Sequence, residues 1–169
     1  MYFITFRNIK KDSITIDMGN LKKSALAGIF SIITIGILTF LTYRTEFGVF
    51  LLASFGSSMV LLYGYPDSPF AQPKNVFFGH LVTAIVGLFV LHFIPLPIFI
   101  TIPLAVGGGI FFMILLNVVH PPAGGNPIIV IIGSASYDYL ISPIIFGCIL
   151  ILLLAILINK FLLKKNYPI

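Results

Sequence analysis

Between Lys74 and Asp138 the chain has no Asp, Glu, Lys or Arg: 63 consecutive positions, 75–137, carry no formal charge. As helix at ~1.5 Å per residue that stretch is ~95 Å long, about three crossings of a ~30 Å hydrocarbon core. Charge is scarce overall, at 9% of residues against 59% hydrophobic, with a mean hydropathy of +1.11. A soluble domain carries roughly 25% charged residues, so the composition excludes a water-soluble globule and points to an integral membrane protein. Cysteine is nearly absent too. The single Cys148 allows no disulfide within the chain and no cysteine-rich metal motif, and reads as a small buried hydrophobe. No Ser-His-Asp order, HExxH, carboxylate pair or phosphate-binding Gly-Lys-Ser/Thr loop is present, and no helical pair of histidines is spaced to hold a metal. The sequence therefore predicts neither an enzyme nor a cofactor.

The charge that exists is placed at the ends. Arg7, Lys10, Lys11, Lys22 and Lys23 precede the first apolar segment, and Lys160, Lys164 and Lys165 follow the last. By the positive-inside rule this predicts a multi-pass protein of the cell (inner or plasma) membrane, with both termini cytoplasmic and an even number of crossings. The net charge of +5 is a flanking pattern; no basic stripe interleaved with aromatics is present of the kind that nucleic acid needs. The run Ser24–Tyr43 is longer than a signal-peptide core and no small-residue cleavage site follows it, so it reads as a retained first helix.

The expected organisation is an N-terminal cytoplasmic or interfacial segment (1–23, either an interfacial helix or a short hairpin), a transmembrane domain (24–160) and a basic cytoplasmic tail (161–169). Apolar segments fall at about 24–43, 47–64, 76–94, 98–119, 127–133 and 140–160. Residues 65–75, with three prolines, read as a loop in which Ser68-Pro69 is an N-cap followed by a first-turn proline. Residues 134–139 read as a turn. The fifth segment is too short for a full span of ~20 residues, so four or six crossings both fit. A shift of 69 residues superposes Gly56 on Gly125 and Gly64 on Gly133, which suggests two pseudo-repeats of three segments, each with a short, broken second segment. An odd number of crossings per repeat inverts the second half, a device of small-solute transporters.

The least lipid-like stretch is "NVVHPPAGGNP", 117–127. Pro121 and Pro122 lack an N–H and clash with the preceding turn, which predicts that the fourth helix stops near His120. Gly124 and Gly125 permit a tight backbone path. Asn126-Pro127 reads as a cap and first turn, predicting a half-helix from Asn126. Broken backbone is tolerated at membrane depth only where protein or a watery cavity satisfies it. A helix N-terminus is an anion-binding geometry. With Gly56-Ser57-Ser58 as its counterpart, the expected substrate site comprises Ser57, Ser58, Asn117, His120, Gly124, Gly125 and Asn126. Ser54, Gly56, Gln72, Lys74, Asn75 and His80 would line the pathway. Lys74 either draws an anion to the mouth or marks a cytoplasmic loop. Gly107-Gly108-Gly109 and Ala105 read as a packing face.

"HPPAG" (120–124) together with "LLASFGSSMVLLYGYPDSPFAQPKNVFFGH" (51–80) resembles the two characteristic blocks of the HPP family of integral membrane proteins. The resemblance covers about 24–160. It implies four membrane helices and, because members in cyanobacteria and chloroplasts are associated with nitrite transport, a small-anion transporter with nitrite as candidate substrate. It also implies roles for Ser54, Gly56, Ser57, Gln72, Pro73, Asn75, His80, His120, Pro121, Pro122 and Gly124. Where the family has a small hydroxyl-bearing run after this motif, Gly125-Asn126-Pro127 stands instead. The partners expected are a small inorganic anion, the lipid bilayer and, since so small a chain encloses little, a second copy of itself. Channel and carrier both fit. The competing class is a non-transporting membrane assembly or sensor subunit.

Overall fold

The computed structural model describes residues 17–169; of the N-terminal segment expected over 1–23, residues 1–16 lie outside them and residues 18–23 form the first turns of the first helix, which starts at Met18 rather than Ser24. The protein is an all-α bundle. Four helices are long and apolar enough to cross a membrane: α1 (Met18–Arg44), α3 (Pro73–Phe93), α4 (Ile98–Leu115) and α6 (Leu140–Leu162). Two short helices lie among them. Helix α2 is Ala53–Met59 continued by a π-helical turn, Val60–Gly64. Helix α5 is Pro121–Ile132, whose first turn, Pro121–Gly125, is a 3-10 helix.

The exterior is apolar, as a lipid-solvated surface must be. Ile32 and Phe40 on α1, and Phe99, Phe111 and Ile114 on α4, are all exposed. The interior has two centres. Phe55, Met59, Leu62 and Tyr63 of α2 pack with Leu38 of α1, Val76 and Ala84 of α3, and Ile144, Cys148 and Ile151 of α6. Val90, Ala105 and Ile131 join α3, α4 and α5 in a second, smaller cluster. Helix α3 thus belongs to both. Backbones approach closely where it meets α5: a Cβ at Gly87 would stand 3.0 Å from the Pro127 Cα.

The path of the short segments follows from their contacts. Thr42 Oγ1, near the end of α1, accepts from the N–H groups of Phe50 and Leu51. Tyr65, just past α2, lies beneath Lys23 at the other end of α1, with Nζ 4.3 Å from the ring centroid. Residues 45–64 therefore run back along the whole of α1, first as extended chain and then as half a helix. Helix α5 ascends parallel to α3, with His120 against Gly79 and Pro127 against Gly87.

Three expected boundaries move. The second segment becomes helical only at Ala53, because Gly48 takes φ +117° and the preceding residues are held extended by Thr42. Helix α4 ends at Leu115, before the prolines are reached. Asn117 adopts φ +54°, its N–H bonds the Ile114 carbonyl, and the Val118 N–H bonds the Met113 carbonyl. That is a Schellman ending with Asn in the left-handed position. The half-helix starts at Pro121 rather than Asn126. Asn126 has helical dihedrals, its N–H bonds the Ala123 carbonyl, and it caps nothing. By contrast Ser68 does cap its turn, accepting from the Phe70 N–H at 3.2 Å.

The last turns of α6 and the segment after it pack against the end of α2 and the 65–72 loop. Asn159 Nδ2 donates to the Leu62 carbonyl, the Tyr167 hydroxyl to the Ala71 carbonyl, and the Ile169 N–H to Gln72 Oε1. Partial burial pulls Lys165 below the ordinary lysine range; the positive charge of Lys23 adds to this and Asp67 opposes it. One interior bond joins α1 to α2, Thr34 Oγ1 to the Tyr63 hydroxyl at 2.5 Å. Tyr63→Phe is expected to cost about 1 kcal/mol, read as a small fall in the unfolding temperature in detergent; an unchanged midpoint would show that this bond contributes nothing.

Candidate functional site

The first turns of α2 and α5 lie side by side and antiparallel, with Ser54 against Asn126 and Ser58 against His120. They do not face each other end to end, as opposed N-termini would. The backbone break is instead lined with polar side chains that bond one another. Ser54, Ser58, His80, Thr83, His120 and Asn126 are all buried. At membrane depth each needs a partner, and each has one.

Ser54 Oγ donates to Asn126 Oδ1 at 2.8 Å. Asn126 Nδ2 then faces three acceptors: His80 Nδ1 at 2.9 Å, Thr83 Oγ1 at 3.1 Å and the His80 carbonyl at 3.2 Å. Ser58 Oγ stands 3.3 Å from His80 Nε2 and 2.8 Å from His120 Nε2. His120 Nδ1 meets the Phe70 carbonyl at 2.7 Å. The two imidazole centroids are 5.0 Å apart, and Phe55 stands edge-on to His80 at 5.1 Å.

Chemistry assigns the protons. An amide NH2 only donates, so His80 Nδ1 accepts and its proton is on Nε2, which donates to Ser58. A carbonyl only accepts, so His120 carries its proton on Nδ1. Its Nε2 then accepts from the Ser58 hydroxyl. The chain of bonds is directional, from the Asn126 amide through His80, Ser58 and His120 to Phe70.

Of the residues singled out from sequence, Ser54, Ser58, His80, His120 and Asn126 come together here. Asn75 stands beside them, its Nδ2 donating to the Val119 carbonyl and holding the 116–120 coil to α3. The others lie apart. Ser57 is exposed and its hydroxyl turns back to the Ser54 carbonyl. Asn117 is exposed at the end of α4. Gly56 faces a groove against α1 that includes Ser24, Gly28 and Ser31. Gln72 ties its loop through the Pro66 and Ser68 carbonyls, and Lys74 is exposed. Gly124 and Gly125 are half-buried with open space where a Cβ would go. Their amides form no uncovered nest, since the turn they occupy is closed. The sequence reading missed Thr83, although its i+3 spacing from His80 puts both on one face, and the Phe70 carbonyl, for which no side-chain signal exists.

Two surface pockets lie beside the short helices, neither lined by a residue of the network. One of about 330 Å³ lies beyond the C-terminal end of α5, lined by Val49, Ile129, Ser136, Tyr139 and Ser142. The Tyr139 hydroxyl is buried and has no hydrogen-bond partner among the described residues. The other, about 510 Å³ and open, is formed by Ser57, Val60, Leu61, Pro121 and Pro122. No cluster of three or more His, Cys, Asp or Glu that could hold a metal occurs among the described residues.

A family model described as "HPP, transmembrane region" matches residues 16–168. Two transmembrane proteins of Dictyostelium discoideum are similar. One is 30% identical over 175 residues, which is 99% of this chain and 56% of that protein. The other is 34% identical over 125 residues, 70% of this chain and 44% of that protein. The chain spans about half the length of these curated relatives. No solved structure matches. The family match takes in both short helices and every residue of the buried network, and by it the chain belongs to the HPP family of membrane proteins, whose transmembrane region it comprises.

Proposed function

We propose that the protein is a transporter of small monovalent anions, with nitrite, the substrate associated with the family, as first candidate. The observation that carries this reading is the pair of broken passes, α2 and α5, meeting at a buried network of hydroxyl, amide and imidazole groups with no charged side chain in it. Such a set offers O–H and N–H donors to an anion without holding it as a buried lysine would. Discontinuous helices around a central polar site are a recurring transporter design. Beyond the end of α5, the Tyr139 hydroxyl is a further buried donor without a partner among the described residues. The starts of α2 and α5, at Ala53 and Pro121, are 68 residues apart and each is preceded by a non-helical stretch, which supports the two-repeat reading. In this reading the chain makes six passes, four whole and two broken, with both ends on one side, and the flanking lysines support taking that side as cytoplasmic. Ser54, Ser58, His80, His120 and Asn126 are the proposed substrate-contacting groups, and Lys74 the cation near the cytoplasmic approach.

Purified protein in proteoliposomes should take up nitrite above empty vesicles, with uptake that saturates and shows counterflow. Folded protein with no uptake above the vesicle background would overturn the proposal. One observation favours a second reading, a non-transporting assembly or sensor subunit: every network group is already satisfied within the protein, as a purely structural staple would be. In that case His120→Ala lowers stability or association and there is no flux to lose.

A further inference from the structure

The buried network has a second fully bonded arrangement, reached by turning one hydroxyl. Ser58 Oγ lies 2.8 Å from His120 Nε2 but also 3.0 Å from the Ser54 carbonyl. In the neutral arrangement its proton points to His120 Nε2. If that proton turns to the Ser54 carbonyl, the Ser58 oxygen is free to accept from two donors at once, the Nε2–H of His80 and a new Nε2–H on His120. His120 would then be an imidazolium donating from Nδ1 to the Phe70 carbonyl and from Nε2 to Ser58, with no polar group orphaned.

His80 has no such freedom. A proton on its Nδ1 would face the Asn126 NH2 at 2.9 Å, donor against donor. Relief would require the Asn126 amide to turn over, which sets its oxygen against the His80 carbonyl, now 3.2 Å from Nδ2. The two histidines are therefore unequal, and only one is built to take a proton.

We propose that His120 Nε2 is a proton-binding site, gated by rotation of the Ser58 hydroxyl, and that the proton it holds accompanies the transported anion. This rests on the transport reading above. The balance is simple: one proton enters, one N–H bond forms at Nε2, the Ser58 hydroxyl exchanges its acceptor, and the ring gains one positive charge. The surface pocket formed by Ser57, Val60, Leu61, Pro121 and Pro122 begins one residue on from this buried ring, and the proton and the anion cross as a neutral pair. The groups facing His120 from each element are Ser58 on α2, His80 and Gly79 on α3, and the Phe70 carbonyl of the loop. His80 is the only titratable one among them. Lys74 on α3 and Asp67 in the loop, the charged side chains nearest in sequence to His80 and to Phe70, are both exposed, as is Asp138, the one nearest in sequence to His120.

Two measurements test this on the unmodified protein. In ¹⁵N-histidine solid-state NMR spectra in lipid, alkaline buffer should show His80 protonated at Nε2 and His120 at Nδ1. Acidic buffer should add an Nε2–H signal to His120 and leave His80 unchanged. A bare His120 Nε2 throughout, or His80 titrating first, would overturn the site. In proteoliposomes, after subtracting nitrous acid leakage through empty vesicles, one proton should enter with each nitrite and no membrane potential should build up. Electrogenic uptake indifferent to pH would overturn the coupling. If nitrite does not move at all, the transport reading fails by itself, and the NMR spectra still decide whether His120 binds the proton. His120→Gln should abolish both the acid-dependent signal and the proton that accompanies the anion; proton entry persisting in that variant would place the site elsewhere.

Discussion

Asn126→Leu is expected to destabilise the protein more than any other single change in the buried network, by roughly 3 kcal/mol or more at about 1–3 kcal/mol per polar group left unpaired. Leucine has similar volume, so the loss is not one of packing. It strands the Ser54 hydroxyl, which donates to Oδ1, and His80 Nδ1, which accepts from Nδ2, and it takes one partner from Thr83 Oγ1, which keeps its bond to the Gly79 carbonyl. Those groups belong to α2 and α3, so one side chain of α5 holds three elements together. The comparator is Ile128→Ala, two residues away on the partly exposed side of the same helix, where a much smaller loss is expected. Unfolding in detergent, followed by helix content against temperature or denaturing surfactant, checks both. Equal losses would show that the network is not what joins the short helices.

Gly79→Ala is the second large effect, because there the added atom has no place to go. A Cβ at Gly79 would stand 2.8 Å from His120 Cβ and 3.0 Å from the Val118 carbonyl oxygen. The 118–120 coil must move off α3, at a typical overpacking cost of about 1–3 kcal/mol, and His120 moves with it. Its bonds to Ser58 and Phe70 are 2.8 and 2.7 Å long, so a shift of several tenths of an ångström weakens both. Transport should therefore fall together with the unfolding temperature. Gly124→Ala, inside the most conspicuous motif of the chain, should do neither, since its Cβ meets nothing within 4 Å. If Gly124→Ala proves the more damaging of the two, Gly124 has a contact that the static packing does not display, and a ligand would be the first candidate.

Much of this architecture was legible in the sequence. The four long apolar segments correspond to α1, α3, α4 and α6, and the pairing of the region around Ser58 with the region around Asn126 emerged from a 69-residue offset. What was not legible has definite causes. The sequence predicts too long an α4 because Leu116, Val118 and Val119 are as apolar as the helix before them; the stop is Asn117, whose side chain tolerates a left-handed backbone. Asn126-Pro127 imitates a cap because the same dipeptide suits a helix start, whereas here the turn had already begun at Pro121. Ser57 and Ser58 are chemically alike and differ by ~100° around the helix axis, and an apolar exterior gives no amphipathic pattern to say which faces in. The hydrogen-bond partners themselves, Thr83 and a loop carbonyl, are a matter of three-dimensional neighbours.

The clasp formed by residues 159–169 imposes an order on assembly. The Asn159 amide that satisfies the Leu62 carbonyl is made 97 residues later, an interval of roughly 5–20 s at ~5–20 residues per second of synthesis. During that time the end of α2 and the loop that carries the Phe70 carbonyl exist without the groups that finally tie them. The half of the protein made first is thus completed last, and it stays open to water, to chaperones and to wrong partners until the second half has entered the membrane.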